Sequence, residues 1–241
     1  MAGKNKSESD QDRLVRENAR LRGDLLTIST RVNHDLRTPL GGMVSTGEIL
    51  KEILTEHAPS SATLADSMFN SADEMAHLIK LISFIAKASA SPVSKTPVKM
   101  GEIISGVLQR LESRLLSRGA TVTEPPDWPE AEGVGEWLEF IWWNFLINSI
   151  QHGGKTIQVG WQRQGAEDRF WISDNGEGVP GHSRPKLFQP FDSLHQPDST
   201  RGLGLSVIQR LVELQGGHCG YESKGGGACF FFTLPHTNDS Q

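Results

Sequence analysis

The chain has 241 residues, of which 37% are hydrophobic and 22% charged, with a formal net charge of −5. This length and composition are enough to bury one sizeable core and a smaller element. The negative charge argues against a nucleic-acid-binding surface, because such surfaces neutralise phosphates with Lys and Arg. No apolar run approaches the roughly 20 residues of a membrane span, and the first residues lack the apolar stretch of a signal peptide. We therefore expect a cytoplasmic protein without a membrane span.

Apolar residues near the N-terminus follow the spacing of a coiled coil. Residues 1–11 are polar and predict a disordered tail. After them, steps of four and three residues define a seam. Its positions are Leu14, Asn18, Leu21, Leu25, Ile28, Val32, Leu36, Leu40, Met43, Gly47, Leu50 and Leu54. Three consecutive steps of four lead from Ile28 to Leu40 and include Pro39, so we expect a kink near residues 35–39.

A second amphipathic helix is predicted after the turn residues Pro59 and Ser60. Its apolar stripe consists of Leu64, Met68, Ala72, Met75, Ile79, Ile82 and Ala86. A hairpin of two such helices cannot cover its own stripe, whereas two hairpins can form a four-helix bundle. Residues 12–92 are therefore predicted to form the helical hairpin of a homodimer.

The pattern becomes mixed after residues 89–98, which are rich in Ser and Pro and are interpreted as a linker. Periodicity predicts helices near 99–118, 135–151 and 203–215, strands near 156–162 and 169–174, and a C-terminal β-hairpin. A Pro-rich break is expected at 123–133 and an irregular segment at 179–201. Residues 93–236 are thus predicted to form an α/β domain, followed by a tail at 237–241. The fold class expected for the whole chain is α+β and multidomain.

His34 is the first candidate for chemistry. It lies roughly 200° around the helix from the apolar seam, so its ring is expected to face solvent. A lone surface histidine is usually inert, but Asp35, Thr38 and Pro39 crowd this turn. Because an exposed imidazole is largely neutral near neutral pH, it is a competent phosphoryl acceptor.

Asn144 and Asn148 form the second candidate, four residues apart on one face of an apolar helix. A buried amide without a partner costs about 1 to 3 kcal/mol. One interpretation is that both amides bond to neighbouring backbone. The other is that their carbonyl oxygens act as ligands of a Mg²⁺ ion that bridges nucleotide phosphates.

Two glycine-containing segments complete the candidates. Asp174 ends a predicted strand and is followed by Gly176 and Gly178. Such a segment is often only a turn, although an acidic side chain there can accept the exocyclic amine of a purine. Gly202 and Gly204 precede an amphipathic helix, whose backbone N–H groups and dipole can hold phosphate. The alternative for the second pair is a simple helix N-terminus.

Taken in chain order, five segments resemble the sequence boxes of the histidine kinase family. HDLRTPL at 34–40 resembles the H box, and it is followed by the N box (NFLINSIQH), the G1 box (DNGEG), the F box (LFQPF) and the G2 box (GLGL). The match covers about residues 14–235, and five motifs in this order are highly specific. The resemblance implies a dimerisation and phosphotransfer hairpin joined to a Bergerat-type ATP-binding α/β sandwich, a fold shared with gyrase-like, MutL-like and Hsp90-like ATPases.

The resemblance also implies roles for individual residues. His34 is expected to be the phosphorylated nucleophile, with Asp35 as its acid–base partner. Thr38 is expected to orient water when the same site dephosphorylates a response regulator. Asn148 is expected to ligate Mg²⁺ with help from Asn144.

Contacts to ATP follow from the same resemblance. Asp174 is expected to bind adenine, and Gly176 and Gly178 are expected to admit the base. Gly202 and Gly204 are expected to close on the phosphates. Arg201 stands where the family commonly has a further glycine. It is expected either to contact a phosphate or to stiffen the loop and weaken ATP binding.

The function implied is ATP- and Mg²⁺-dependent autophosphorylation of His34, followed by transfer to an aspartate of a response-regulator partner. Phosphatase activity at the same site is a further expectation. One alternative is a phosphorelay adaptor with weak or no ATP binding, which the presence of Asn148 and Asp174 disfavours. Another is a Bergerat-fold ATPase, for which the resemblance places a catalytic glutamate at Asn144, and an asparagine cannot act as a general base for water.

Overall fold

The computed structural model of the protein describes residues 93–188 and 203–236 without interruption. Of the first 92 residues it describes the following positions, all of them helical: 15–21, 23, 26–27, 32, 34, 36, 40–47, 49–50, 53–54, 72, 75–76, 79, 83–84 and 86. Backbone contacts divide the chain into two compact units, Met1–Pro92 and Val93–Gln241.

The first unit presents apolar side chains along the predicted seam. Leu21 and Met43 are each 58% exposed and Leu36 is 41% exposed, whereas Leu40 is buried. Within the described part of this unit, a single chain therefore leaves much of its seam uncovered. Pro39, at the predicted kink, and the predicted turn residues Pro59 and Ser60 lie outside the described residues.

The second unit is an α/β domain, as the sequence predicted. Its described strands are β1 (Thr96–Lys99), β2 (Thr121–Thr123), β3 (Glu130–Gly133), β4 (Thr156–Gln164), β5 (Glu167–Asp174), β6 (Cys219–Lys224) and β7 (Gly227–Pro235). Its described helices are α1 (Met100–Arg118), α2 (Gly135–His152) and α3 (Leu203–Leu214), with a 3₁₀ turn at Arg184–Lys186. Each helix lies within one residue of its predicted bounds. No helix in the described part of the chain has the length and hydropathy that a membrane crossing requires.

Five strands form the main sheet, in the order β2-β4-β5-β7-β6. β2 runs parallel to β4, and all other neighbours in this sheet are antiparallel. Side chains alternate between the two faces of each strand. On β5, Phe170 and Ile172 are therefore fully buried on the helix side, while Arg169 and Trp171 lie on the opposite face and are half-buried.

Helix α2 packs against β5 and lies between α1 and α3. Its fully buried Trp142 makes edge-to-face contacts with Trp128 and Phe232, at centroid distances of 5.8 and 5.5 Å. The indole N–H of Trp142 donates a hydrogen bond to Met100 Sδ at 3.1 Å. Aromatic pairs of this geometry contribute about 0.5–1.5 kcal/mol beyond the area that they bury. They fix α2 on the sheet and so determine where its polar side chains lie.

A second, two-stranded sheet corrects two of the sequence predictions. β1 pairs antiparallel with β3, from Thr96 opposite Gly133 to Lys99 opposite Glu130. The interpretation of residues 89–98 as a linker is therefore wrong from Thr96 onward. The Pro-rich break predicted at 123–133 is likewise wrong at its C-terminal end. Each strand has four residues and is mostly polar, so neither has a local strand pattern. Each is recognisable as a strand only from its pairing with the other.

Gln215, one residue beyond α3, connects three segments of the domain and is fully buried. Its Oε1 accepts a hydrogen bond from the N–H of Val134, the residue before α2, at 2.8 Å. Its Nε2 donates to the carbonyl of Leu211 at 3.0 Å, and its backbone carbonyl accepts from Lys95 Nζ at 2.6 Å. One side chain therefore ties the start of α2 to the end of α3.

Candidate active site

Asp174 ends β5 with a buried carboxylate that has three hydrogen-bond donors. Oδ1 accepts from the backbone N–H groups of Gly176 and Ala228, at 3.0 and 3.3 Å. Oδ2 accepts from the Ser149 hydroxyl of α2 at 3.2 Å. A buried carboxylate without such partners would be costly. The three donors belong to separate segments, so they hold Asp174 where α2, the loop after β5 and the start of β7 meet.

Glycines make this convergence sterically feasible. A Cβ atom at Gly153, directly after α2, would lie 2.6 Å from Asp174 Cγ and 2.5 Å from the Ser149 carbonyl oxygen. A Cβ at Gly227 would overlap the Asp174 carbonyl oxygen. Real Cβ atoms essentially never come this close to another heavy atom, so a side chain at either position would force its neighbours to shift. Only glycine at these two positions therefore allows α2 and β7 to approach the carboxylate as they do.

Gly176 and Gly178 pack against backbone. A Cβ at Gly176 would lie 2.7 Å from Gly153 Cα, and one at Gly178 would lie 2.8 Å from the Gly226 carbonyl oxygen. Gly178 also has a φ of +69°, a conformation that favours glycine. Both glycines thus shape the loop beside Asp174, and their predicted role of admitting a base stays a prediction.

On α2, Asn144 lies beside Gly204, the second residue of α3. Its Nδ2 donates to the carbonyl of Phe140 at 2.7 Å, which satisfies part of the amide within its own helix. A Cβ at Gly204 would lie 2.8 Å from Asn144 Oδ1. The structure therefore brings Asn144 and Gly204 together, at the helix end where backbone N–H groups and the helix dipole favour an anion.

Asn148 lies one helical turn beyond Asn144 and is adjacent to Ser149 in the chain. It is half-buried, and its side chain makes no hydrogen bond to any residue that the structure describes. Near its C-terminal end, α2 thus carries Ser149, which binds the Asp174 carboxylate. The adjacent Asn148 has an amide oxygen that is available to a ligand. A hard amide oxygen in this position suits a Mg²⁺ ligand.

The predicted phosphoacceptor, His34, is exposed and helical. Four other residues from the predicted site, Asp35, Thr38, Arg201 and Gly202, lie outside the described residues. Their roles stay predictions.

The start of the connection after β5 is held by Tyr221 of β6. The N–H of Val179 donates to the Tyr221 hydroxyl at 3.1 Å. Arg184 Nε donates to the carbonyl of Val179 at 2.9 Å, and its guanidinium lies 5.6 Å from the centroid of the Tyr221 ring. The segment after Gly176 and Gly178 is therefore held in place by the side chain of Tyr221, which belongs to a different strand.

The thiol of Cys219, on β6, is not a candidate for nucleophilic chemistry. Burial, with a smaller contribution from Glu213, raises the pKa of the Cys219 thiol to about 12, so it stays protonated near neutral pH and is a poor nucleophile. Among the described residues, no cluster of three His, Cys, Asp or Glu side chains could hold a metal ion.

Sequence reasoning missed Ser149, Gly153, Gly227 and Tyr221. Gly153 had a local signal, since it follows the last predicted turn of a helix, where glycine is common. Ser149, Gly227 and Tyr221 had none, because their contacts with Asp174 and Val179 join segments that are distant in sequence. Those contacts depend on the strand order, which periodicity does not give.

Comparison with known proteins identifies the family. Residues 133–238 match the family described as histidine kinase-, DNA gyrase B- and HSP90-like ATPase. The chain is 30% identical over 210 residues to the methanogenesis regulatory histidine kinase FilI of Methanothrix harundinacea, covering 85% of this chain and 24% of FilI. It is 26% identical over 239 residues to the sensor protein KdpD of Escherichia coli, covering 95% of this chain and 26% of KdpD. This chain belongs to the two-component histidine kinase family.

Solved structures of histidine kinases share the fold. The catalytic domain of ThkA superposes with a TM-score of 0.53 at 20% identity, covering 58% of this chain and 95% of that domain. Full-length ShkA in complex with AMPPNP gives a TM-score of 0.61 at 24% identity, covering 87% of this chain and 45% of ShkA. The α/β unit therefore has the fold of a histidine kinase ATPase domain.

The extent of these matches has two consequences. The chain spans about a quarter of the length of FilI and KdpD. The match to KdpD leaves only about a twentieth of this chain unaligned, so its span includes His34 and is not confined to the α/β unit.

Proposed function

We propose that this protein is an ATP-dependent histidine autokinase that phosphorylates its own His34 and passes the phosphoryl group to an aspartate of a response regulator. The observation that carries this proposal is the convergence at Asp174. A buried, oriented carboxylate lies at one end of α2, and the Asn144–Gly204 contact lies nearer its middle. The kinship with histidine kinases, over a span that includes His34, supports the same assignment. In this proposal residues 12–92 form the phosphotransfer hairpin and residues 93–236 the catalytic domain.

The site suits ATP at both ends. Asp174 accepts the exocyclic amine of adenine, between the loop of Gly176 and Gly178 and the end of α2. Gly204 lies at the start of α3, where backbone N–H groups bind phosphate, and Gly202 and Arg201, which precede it in the sequence, contribute to the same phosphate site in this proposal. The steric contact between Gly204 and Asn144 leaves no room for a side chain there, which is consistent with a closely fitted phosphate loop.

Asn148, with assistance from Asn144, would supply amide oxygen to Mg²⁺. The ion, when bound, neutralises charge on the phosphates. The chain's own residues do the rest. A ring nitrogen of His34 attacks the γ-phosphorus in line, a P–N bond forms, and the P–O bond to the departing ADP breaks. Asp35 assists proton transfer at the imidazole, and Thr38 orients water in a phosphatase reaction at the same histidine. Positioning and electrostatics provide most of the rate acceleration in such transfers.

We also propose that the functional form is a homodimer in which two hairpins pair as a four-helix bundle. The support is the apolar seam that a single chain leaves uncovered. Leu21, Leu36, Met43 and Leu50 are all more than a third exposed and follow the predicted spacing. A second copy would cover these side chains by the packing of a coiled coil.

The test is incubation with γ-labelled ATP and Mg²⁺, comparing the wild type with His34→Gln. We expect acid-labile label on the wild type and none on the variant, because a phosphohistidine is lost in acid. His182→Gln removes another exposed histidine and serves as the matched control, which should keep the label. Addition of a receiver domain should then transfer the label to an aspartate.

Two results would contradict the proposal. Label that persists in His34→Gln would place the acceptor elsewhere. Absence of ATP binding to the wild type, measured by calorimetry, would instead favour the phosphorelay adaptor.

A further inference from the structure

We infer that Ser149 is a positioning residue for nucleobase recognition, which fixes the Asp174 carboxylate so that one acceptor site on Oδ2 faces the 6-amino group of adenine. This inference rests on the proposed function, in which Asp174 binds adenine. It assigns to Ser149 a role in specificity that neither the sequence boxes nor the comparisons suggest.

The first step of the argument is the direction of the hydrogen bond. Ser149 lies in the last turns of α2, is 1% exposed, and has its Oγ 3.2 Å from Asp174 Oδ2. An ionised carboxylate has acceptor sites only. The serine hydroxyl must therefore be the donor, and its proton points at Oδ2.

The second step is a count of acceptor sites. Each carboxylate oxygen offers about two lone-pair directions. On Oδ1 both are used, by the N–H groups of Gly176 and Ala228. On Oδ2 the described residues use one, through Ser149. The acceptor that a ligand amine can use therefore lies on Oδ2, next to the serine oxygen.

The third step concerns rotation of the carboxylate. Two backbone N–H groups hold Oδ1, whereas Oδ2 is held, among the described residues, by Ser149 alone, so the serine sets the torsion about the Cβ–Cγ bond. This terminal torsion is intrinsically broad for Asp. Without the hydroxyl, the carboxylate plane loses its second anchor and the remaining acceptor no longer points in one direction. Recognition of an amine depends on that direction.

The experiment compares two nucleotides, ATP and purine riboside triphosphate, which carries hydrogen in place of the 6-amino group. Affinities are measured by titration calorimetry on the full chain. The wild type should prefer ATP by about tenfold or more, since a hydrogen bond to a charged group contributes about 1.5–3 kcal/mol. In Ser149→Ala, ATP affinity should fall by roughly three- to tenfold. Affinity for the analogue should change less than about twofold, because the lost anchor matters only to the amine.

Two further variants separate orientation from packing. Ser149→Cys keeps nearly the same volume but has a weak donor, so it should lose the preference for ATP as Ser149→Ala does. Ser105→Ala removes an exposed serine of α1 and should change neither affinity.

The possible failures are distinguishable. Equal losses for both nucleotides in Ser149→Ala would overturn the inference and assign the serine a purely structural role. A preference for ATP that survives in both Ser149 variants would also overturn it while leaving the proposed function intact. A wild type that binds both nucleotides equally would refute adenine recognition by Asp174 and, with it, the role of Ser149.

Discussion

Gly153 allows the Asp174 carboxylate to pack directly against the C-terminal end of α2. The missing side chain lets Asp174 Cγ come within 2.6 Å of where a Cβ would be, and the Ser149 carbonyl within 2.5 Å. The backbone of Gly153 has φ −75° and ψ 168°, which any residue can adopt. The requirement for glycine is therefore one of space alone, and it concerns the groups that orient Asp174.

We predict that Gly153→Ala lowers ATP affinity by at least about tenfold and destabilises the domain by about 1–3 kcal/mol. A new methyl must displace either the backbone of Ser149 or the carboxylate, and neither is the end of a flexible chain. Titration calorimetry and urea unfolding measure the two effects. Gly106→Ala is the matched control, since a Cβ there meets nothing within 4 Å in the middle of α1. That change should stabilise the helix by about 0.5–1 kcal/mol. Unchanged ATP affinity in Gly153→Ala would mean that Asp174 tolerates displacement.

Helix α2 begins without a capping side chain of its own. Its N-cap is Val134, which has extended backbone geometry and makes no side-chain cap hydrogen bond. Gln215 binds the Val134 N–H from the end of α3, and the carbonyl of Val134 accepts from Trp137 and Leu138. A valine cannot offer an acceptor to the first N–H groups of the helix, so the helix start depends on a residue from another element.

Val134→Thr should therefore stabilise the α/β unit by about 0.5–1 kcal/mol, because threonine keeps the shape of valine and adds an acceptor at the N-cap. Scanning calorimetry should show the melting temperature rising by about 1–4 °C. Val98→Thr on β1 introduces the same hydroxyl in a half-buried strand position and should not stabilise. A lowered melting temperature in Val134→Thr would show that its methyl packing outweighs the cap.

The elements differ in how much of them a sequence can reveal. α1 and α2 are long, and their apolar spacing identifies them to within a residue. β1 and β3 could not be predicted, because each is a mostly polar four-residue strand and its partner in the described sheets is the other, 31 to 37 positions away. Asp174 and its glycines were recognisable from a strand-end motif. Ser149 was not, since its hydrogen bond to Asp174 exists only after α2 has packed on β5.

At the level of the whole molecule, the two units bury their apolar residues differently. The α/β unit has its own core, in which Trp142, Phe145 and Phe232 are fully buried. The first unit exposes Leu21, Met43 and other seam residues among its described positions. An exposed apolar row of this kind marks an interaction surface.

We predict that the full chain is a dimer in solution, with a mass by light scattering of about twice the chain mass of 26.5 kDa. Met43→Glu should raise the dissociation constant at least about a hundredfold, since burying an unpaired carboxylate costs several kcal/mol. Ser45→Glu places the same charge on an exposed position outside the seam and should leave the dimer intact. A monomeric wild type at micromolar concentration would contradict the prediction.

The aromatic core also sets the optical properties of the protein. All six tryptophans, and the single tyrosine, belong to the α/β unit, and the first 92 residues contain neither. Fluorescence excited at tryptophan therefore originates in that unit alone, whereas far-ultraviolet ellipticity includes the helices of both. Tryptophan emission is therefore an intrinsic probe of the α/β unit. The interval between the emission and ellipticity melting curves would measure how independently the two units unfold.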